Sequence, residues 1–595
     1  MNPDAPEPHQ RMNPVARVLI RPFRPAINSA RDYNVSKLRS DLVAGLTVAV
    51  VAVPQSMAYA YIAGVPPQYG IYSSIIQCFI SAIFTSNDHL TCGPTNTQAL
   101  LTAATVTRIV EPGDPAMYLQ LAIGLTMLKG VIQLAFALAR VGDLVKYVSQ
   151  SVIVGFAAGV GVLIGFGQLA DFLGLHAERS ADEYPGIIGI TQRLWPHIME
   201  INTITLGIAA GSLILIIAIR AWSKTAPAAL IAVVLASIPV YLFGWTEAQT
   251  DLVGRLPAFL PTPSWPTLSW SHAEAMLGGA GALALLGMIE TIGIGKSIAI
   301  HTGAKIHANR EFFAQGMANI AGSFFQNFSG SGSFTRTALN YHAGGKTRFA
   351  GVFNAGFVAL ILLLCSGLAR YVPMAALSAI LIMLAYQLID FTRIIQIVRT
   401  SRSDAFVCLI TFGSALVLPL AYAIYLGIFL NIALYMRRAS RLHMDEVVHP
   451  SGGPFIEQPL KDRHGDQPVV FLQLEGDLFF GVADELQDKL AMLLNDTPRV
   501  VILRLKRTHY IDTTVLGVFD QFVRNMSSRD RHVILCGLRP DLTKKLKSFG
   551  LVELIGPHNV FETGFGVFGS AKQAFARAKE LVGSSFDVAG LDTDD

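Results

Sequence analysis

A handful of polar and ionisable side chains stand alone inside apolar stretches of this chain, and each belongs to a type that binds or discharges an ion. Arg336 follows Ser331-Gly332-Ser333-Phe334-Thr335. A buried guanidinium carries a permanent charge and must find a partner. Glu290 sits in Gly287-Met288-Ile289-Glu290-Thr291-Ile292-Gly293-Ile294, where a carboxyl gains a proton when unpaired and loses it beside a cation. Gln55 and Tyr59, four residues apart, share one helix face and can donate hydrogen bonds to an oxyanion without adding charge, or else join two helices. The pattern suits binding of a small anion linked to movement of a proton. In the expected cycle Glu290 is ionised against Arg336 when the site is empty, and takes up a proton when an anion claims the arginine. A purely structural Glu–Arg pair, or an arginine reaching for the membrane interface, would use the same residues.

Two segments could position these groups. Cys92-Gly93-Pro94-Thr95-Asn96-Thr97-Gln98-Ala99-Leu100 and Ser331-Gly332-Ser333-Phe334-Thr335-Arg336-Thr337-Ala338-Leu339 share the order Gly, five residues, Ala-Leu. Short, polar-headed helices at matching places in two halves mark the midplane site of an inverted-repeat transporter. A helix that starts at membrane depth presents unpaired N–H groups and about half a positive charge. Two such starts facing each other make an anion site between Gly93–Thr97 and Gly332–Arg336, with Gly93, Thr95, Asn96, Ser333, Phe334, Thr335 and Arg336 as candidate contacts.

The elements around them are those of a membrane protein. The 595 residues are 52% hydrophobic and only 15% charged, with mean hydropathy +0.46. Ordinary soluble domains run nearer a quarter charged, so the deficit needs a bilayer. Spans are expected near 41–63, 70–86, 96–110, 116–138, 145–171, 200–222 and 226–244, then near 276–301, 310–326, 335–343, 349–368, 374–390, 403–419 and 421–438. The two sets of seven flank a proline- and tryptophan-rich loop, Thr246–Ser271. Basic residues precede the first span (Arg11, Arg17, Arg21, Arg24, Arg31, Lys37, Arg39) and follow the last (Arg437, Arg438, Arg441), which puts both ends in the cytosol and requires an even number of spans. No secretory signal peptide is visible at the start. Glycines 155, 159, 161, 165 and 167 read as a close-packing helix face.

Other classes find little support. The five cysteines are scattered singly, which suggests neither a disulfide framework nor a metal site. No HExxH or GxSxG pattern offers an enzyme. Gly295-Lys296-Ser297 imitates the end of a phosphate loop, but Glu290 holds the required glycine position and the run lies inside a span, so Lys296 should face a vestibule or the interface. The net charge of +4 reflects the basic flanks and is poor ground for a nucleic-acid partner; no cofactor is called for.

From Gln467 strands and helices alternate, giving a small α/β sheet. Strands are expected at Val469–Leu474, Val500–Leu505 and Val533–Cys536, and helices at Ala483–Leu494, Val515–Met526, Asp541–Ser548 and Lys572–Leu581. Asp512-Thr513-Thr514 reads as a helix cap, with a phosphorylatable or ligand-sensing hydroxyl as the sharper alternative. The expected organisation is an N-terminal arm (1–40), a transport domain (41–438), a linker (439–466), the α/β domain (467–585) and a tail (586–595).

Val53-Pro54-Gln55-Ser56-Met57-Ala58-Tyr59-Ala60 with Val65-Pro66-Pro67-Gln68-Tyr69-Gly70-Ile71-Tyr72-Ser73-Ser74 resembles the signature of the sulfate permease (SulP) family. Gly332–Asn340 is similar to the tenth span of that family, and Leu474-Glu475-Gly476-Asp477-Leu478-Phe479-Phe480-Gly481 to the opening of its STAS domain. The resemblance implies an α-helical polytopic membrane protein of fourteen segments in two inverted repeats, with a core (segments 1–4 and 8–11), a gate or scaffold, and a C-terminal STAS domain. It implies elevator-like transport, a homodimer in the plasma membrane, and a possible cytosolic regulator at STAS. It makes Gln55, Tyr59, Ser333 and Arg336 substrate ligands and Glu290 the proton-coupling group. Sodium-coupled bicarbonate members carry Asp and Thr where this chain has Glu290 and Ile294, which counts against a sodium site. Val515 replaces the glycine of soluble STAS proteins, which weakens a phospho-switch. The leading expectation is proton-coupled symport of sulfate or a similar oxyanion. Uptake or exchange of bicarbonate, chloride or a dicarboxylate is the second, and a non-transporting membrane sensor the third.

Overall fold

The computed structural model describes residues 23–110, 114–142, 148–175, 186–223, 226–246, 249–448, 456–460, 468–495, 498–564 and 569–583. Arg11, Arg17 and Arg21, much of the expected linker and the tail lie outside them. Two units emerge, Met1–Ile432 and Ala433–Asp595.

The first unit is helical. Spans 1 to 7 are Val35–Ile62, Pro67–Phe84, Asn96–Val106, Pro115–Leu138, Gln150–Gly167, Thr203–Trp222 and Ala228–Phe243. Spans 8 to 14 are Trp270–Thr302, Ala308–Ser323, Phe334–His342, Phe349–Cys365, Met374–Leu388, Arg402–Val417 and Leu420–Ala439. Among the described residues, eight helical stretches are long and apolar enough to cross a bilayer alone. The others are shorter because they are interrupted or sheltered by neighbours, the one setting in which broken helices survive at membrane depth. Span 1 starts six residues before the sequence suggested, where Asn34 Oδ1 accepts from Lys37 N. Besides Arg24–Arg31 ahead of span 1, two short helices that connect spans went unforeseen among the described residues: Ile187–Leu194 between spans 5 and 6, and Phe391–Thr400 between spans 12 and 13. Their matching places extend the repeat. Each mixes charged with apolar residues in a single amphipathic turn pattern, so hydropathy alone passes over them.

Spans 3 and 10 are the half-helices. Each is preceded by a short strand, β1 (Cys92–Pro94) and β2 (Gly330–Gly332), and the two strands pair antiparallel. The register is Cys92↔Gly332, Gly93↔Ser331, Pro94↔Gly330. Superposing Gly93 on Gly332, as the sequence repeat does, turns the pair Gly93↔Ser331 into Gly332↔Cys92, which is the other observed pair. The ladder therefore maps onto itself, as a two-fold axis between inverted halves requires. Close packing surrounds it. A Cβ on Gly330 would fall 1.9 Å from Gln77 Oε1 and 2.5 Å from the Gly93 carbonyl oxygen. Among the glycines of span 5, Gly155 and Gly159 lie against span 13 and Gly161 against span 12, whereas a Cβ on Gly167 would meet nothing.

The second unit holds a six-stranded sheet in the order β4-β3-β5-β6-β7-β8. Its strands are β3 (His443–Val448), β4 (Ile456–Pro459), β5 (Val469–Leu478), β6 (Val500–Ile511), β7 (His532–Leu538) and β8 (Val560–Glu562). β5 to β8 run parallel, with helices α1 (Phe480–Asn495), α2 (Thr513–Ser527), α3 (Pro540–Phe549), α4 (Leu551–Ile555) and α5 (Gly569–Val582). Residues 443–448 and 456–459 were expected in a linker. They instead form an antiparallel edge on β5, and their charged side chains, such as Asp445, Glu446 and Glu457, hid them from an apolar-run reading. Asp512 caps α2 by accepting from Val515 N at 2.9 Å, and also accepts from Phe480 N at 2.6 Å, so it ties the starts of α1 and α2 together. Thr513 and Thr514 are exposed.

Gly330→Val should lower the thermal midpoint of the purified protein in detergent, because overpacking of this kind costs about 1–3 kcal/mol. Asp512→Ala should speed amide exchange at Val515 and Phe480 in the full-length protein by about 5- to 30-fold, the effect of losing a cap worth ~1–2 kcal/mol.

Candidate functional site

The ladder brings the two helix starts together, and their first residues form one polar surface. Thr95 caps span 3, its hydroxyl facing Gln98 N, and Ser333 caps span 10, facing Arg336 N, both at 3.5 Å. Asn96 Oδ1 accepts from Thr97 N, which completes the turn. Thr95 Oγ1 lies 3.4 Å from Ser331 Oγ across the ladder. Both half-helices start directly from the paired strands, which brings their positive N-terminal ends close together.

Arg336 is fully buried on span 10. Its Nη2 donates to Ser56 Oγ of span 1 at 2.9 Å, and its Nη1 to Ser74 Oγ of span 2 at 3.1 Å. Its Nε has no partner. No carboxylate pairs with it among the described residues. Gly93 leaves the space that the guanidinium fills, since a Cβ there would lie 2.3 Å from Nη1. Gln55 and Tyr59 are both buried on span 1, and Gln55 Oε1 is unpartnered. Tyr59 is within electrostatic reach of both Arg336 and Glu290. Phe334, at 62% exposure, and the half-buried Thr335 complete the start of span 10.

The expected pairing of Glu290 with Arg336 does not occur. Glu290, on span 8, accepts from the Thr97 hydroxyl and, at 2.7 Å, from Ser331 Oγ. Thr97 belongs to span 3 and Ser331 to β2, so the carboxyl bridges the two halves, while the arginine is held by serines of spans 1 and 2. One-dimensional reasoning saw two opposite charges in apolar runs and joined them. The hydroxyls that separate them were visible in the motifs but carry no charge to draw attention.

A further cation had escaped notice. Lys129 on span 4 is fully buried, and Nζ donates to Gln98 Oε1 at 2.7 Å, Ser329 Oγ at 2.9 Å and the Gly330 carbonyl at 2.6 Å. The sequence signal was present: Lys129 is the one charged residue of the Pro115–Leu138 run, and an ionisable group inside a span marks function by default. Gln77 and Asn319 brace the same strand, Gln77 Nε2 donating to the Phe328 carbonyl and Asn319 Nδ2 to the Gly330 carbonyl. Lys296 is exposed, and its surroundings are helical throughout, so the phosphate-loop likeness ends there.

The chain is similar to transporters along nearly its whole length. The sulfate permease family matches residues 38–411, and the STAS domain family residues 461–564. A protein of Mycobacterium tuberculosis named "Probable sulfate transporter" is 30% identical over 564 residues, 93% of this chain and 98% of that one. Sulfate transporter 4.1, chloroplastic, of Arabidopsis thaliana is 28% identical over 89% of this chain and 80% of its own. The murine Solute Carrier 26 family member A9 anion transporter, in its inward-facing state, shares the fold with TM-score 0.85 at 19% identity, covering 96% of both chains. The transmembrane domain of a cyanobacterial bicarbonate transporter aligns with TM-score 0.58 at 26% identity, covering 66% of this chain and 98% of its own. A membrane unit of fourteen spans with facing half-helices, joined in one chain to a parallel-sheet domain, thus has a family: this protein is an anion-transporting member of the sulfate permease family that ends in a STAS domain.

Proposed function

We propose that the protein takes up sulfate, or an oxyanion of the same shape and charge, together with a proton. The observation that carries this reading is Arg336: a fully buried guanidinium with no carboxylate partner and an unpartnered Nε, set where two helix starts meet. Burying such a charge without a counter-ion is costly, and an anion seated against Nε and the first-turn N–H groups removes that cost. Gln55, Tyr59, Gly93, Thr95, Asn96, Ser333, Phe334 and Thr335 line or shape the seat.

Coupling runs through Thr97 and Ser331. While Glu290 is ionised it only accepts, so both hydroxyls turn their hydrogens to it. Once protonated, the carboxyl donates one hydrogen bond and withdraws its negative charge, and the hydroxyls are free to donate toward the anion. Proton and anion then favour each other's binding, as linkage requires. Ile294, the position where a sodium-coupled carrier would want an oxygen ligand, packs on Leu90 and Cys92 and supports a proton rather than a metal ion. The spans of each half move as an elevator, one group carrying the site past the other. The exposed arginines 437, 438 and 441 support a cytosolic STAS domain, and the basic residues before span 1 a cytosolic N-terminal arm, in a plasma-membrane protein. A homodimer, and a cytosolic regulator at the exposed Thr513–Thr514 edge, complete the reading.

Counterflow in proteoliposomes with labelled sulfate, bicarbonate and fumarate tests the cargo: sulfate should exchange fastest, and exchange of bicarbonate alone would replace it. A protein that moves none of the three would be a sensor. Arg336→Gln should cut sulfate transport by about 30-fold or more, the loss of ~2 kcal/mol of charge-assisted bonding. Glu290→Gln should keep sulfate exchange and lose its stimulation by external acid; acid stimulation equal to wild type would take Glu290 out of the coupling.

A further inference from the structure

Lys129 has no part in the coupling just described, yet it is a second buried cation at the back of the site. Its three contacts suit an ammonium group. The Gly330 carbonyl can only accept. Gln98 Oε1 also accepts a hydrogen bond from Ser329 Oγ at 2.9 Å, and with the serine hydrogen placed there Ser329 Oγ accepts from Nζ. Three acceptors at 2.6 to 2.9 Å use the three hydrogens of an ammonium, whereas a neutral amine has two. With all three used, Lys129 has no hydrogen left for a transported ion and acts through its charge.

That charge lies close to the site. Gly330 O, which Lys129 holds, is adjacent in β2 to Ser331, which holds Glu290, and the lysine and the carboxyl are within electrostatic reach. The ionisable groups facing this region from spans 1, 2, 4, 8 and 10 and from β1 are Tyr59, Cys78, Lys129, Glu290, Arg336 and Cys92. Two of them are cations and one is an anion. The remaining buried charges nearby are engaged elsewhere: Asp41 accepts from Lys346 N and Thr347 N, and Glu311 accepts from Thr85 and Ser86. With Glu290 ionised the site carries one net positive charge, and with Glu290 protonated it carries two.

We propose that Lys129 is the fixed counter-charge that matches the site to a divalent anion, so that one such anion and one proton leave the loaded site electrically neutral. It is a positioning residue that selects the valence of the cargo without touching it. A neutral load crosses the bilayer without the cost of moving a bare charge through hydrocarbon. Without Lys129 the same load would leave a net negative charge, and a monovalent anion with a proton would be the neutral combination. The inference rests on the proposed proton-coupled uptake and adds its stoichiometry and charge selectivity.

The test uses the full-length protein in proteoliposomes, with uptake of labelled sulfate and of bicarbonate measured beside transport current on a solid-supported membrane. Net charge per cycle is that of the cargo, one negative charge inward per sulfate taken up with one proton. The fixed charges show in the loaded step: sulfate-for-sulfate exchange by the wild type, in which only the neutral loaded form crosses, should not respond to an imposed membrane potential. Lys129→Met, whose loaded form keeps one negative charge, should exchange sulfate at a rate that changes with that potential, and should lower the sulfate-to-bicarbonate uptake ratio by about tenfold, the low end of what one fixed charge does to local ion concentration. Lys129→Arg, which keeps the charge, should behave as wild type. A wild type whose current departs from one negative charge per sulfate, or whose sulfate exchange responds to the potential, would overturn the proposal whether or not the variants fold. So would a monodisperse Lys129→Met protein with wild-type potential dependence and ratio. A wild type that moves no sulfate fails the proposed function itself, a result distinct from either.

Discussion

The three-residue ladder between β1 and β2 is the constraint from which the rest of the site follows. Two helices broken inside a membrane leave N–H and C=O groups that hydrocarbon cannot satisfy. Pairing the broken ends with each other meets part of that demand, and buried amides from neighbouring spans meet more, as Gln77 and Asn319 do for the backbone of 328–330. The half-helix starts that remain unsatisfied face one another, so the anion site lies where secondary structure could not be completed. Small residues are needed there for room, and Gly93 and Gly330 occupy the positions where a methyl group would collide with Arg336 and with the facing strand.

The same ladder explains why the charges are distributed as they are. Arg336 is held by serines of spans 1 and 2, Glu290 by the hydroxyls of Thr97 and Ser331, and Lys129 by the Gly330 carbonyl, Ser329 and Gln98. None of the three neutralises another directly. Separated charges, each solvated by neutral dipoles, remain responsive to an arriving ion, whereas a direct Glu–Arg pair would have to be broken first. Preorganised hydroxyls and amides give the site its polarity at small reorganisation cost.

Much of the architecture was legible in the sequence because a bilayer imposes length and apolarity on each span. The matched Gly-x5-Ala-Leu motifs went further and indicated where the halves meet. The less legible parts share a cause: they depend on which side chain faces which. The bridge of Glu290 to Thr97 and Ser331 needs the register of the ladder, and the edge strands β3 and β4 need β5 beside them. Lys129 is the exception, since its charge inside an apolar run was plain and only its three acceptors required the structure. Asp512 shows the opposite case, where capping is local enough that the cap could be read directly.

The self-mapping of the ladder has a consequence for how such a protein can diversify. Its anion-attracting groups are mainly backbone, and backbone is the same whatever residues surround it. Asn96, Ser333 and Thr335 stand at the helix starts, and among the described residues their side chains do not bridge the strands as Thr95 does through Ser331. Exchanging them can retune size and shape of the cargo while the electropositive crossing stays intact. Gly93, Gly330 and the buried braces have no such freedom, because a change in either strand displaces both half-helices at once. One layer of the site is thus open to variation and the layer beneath it is not.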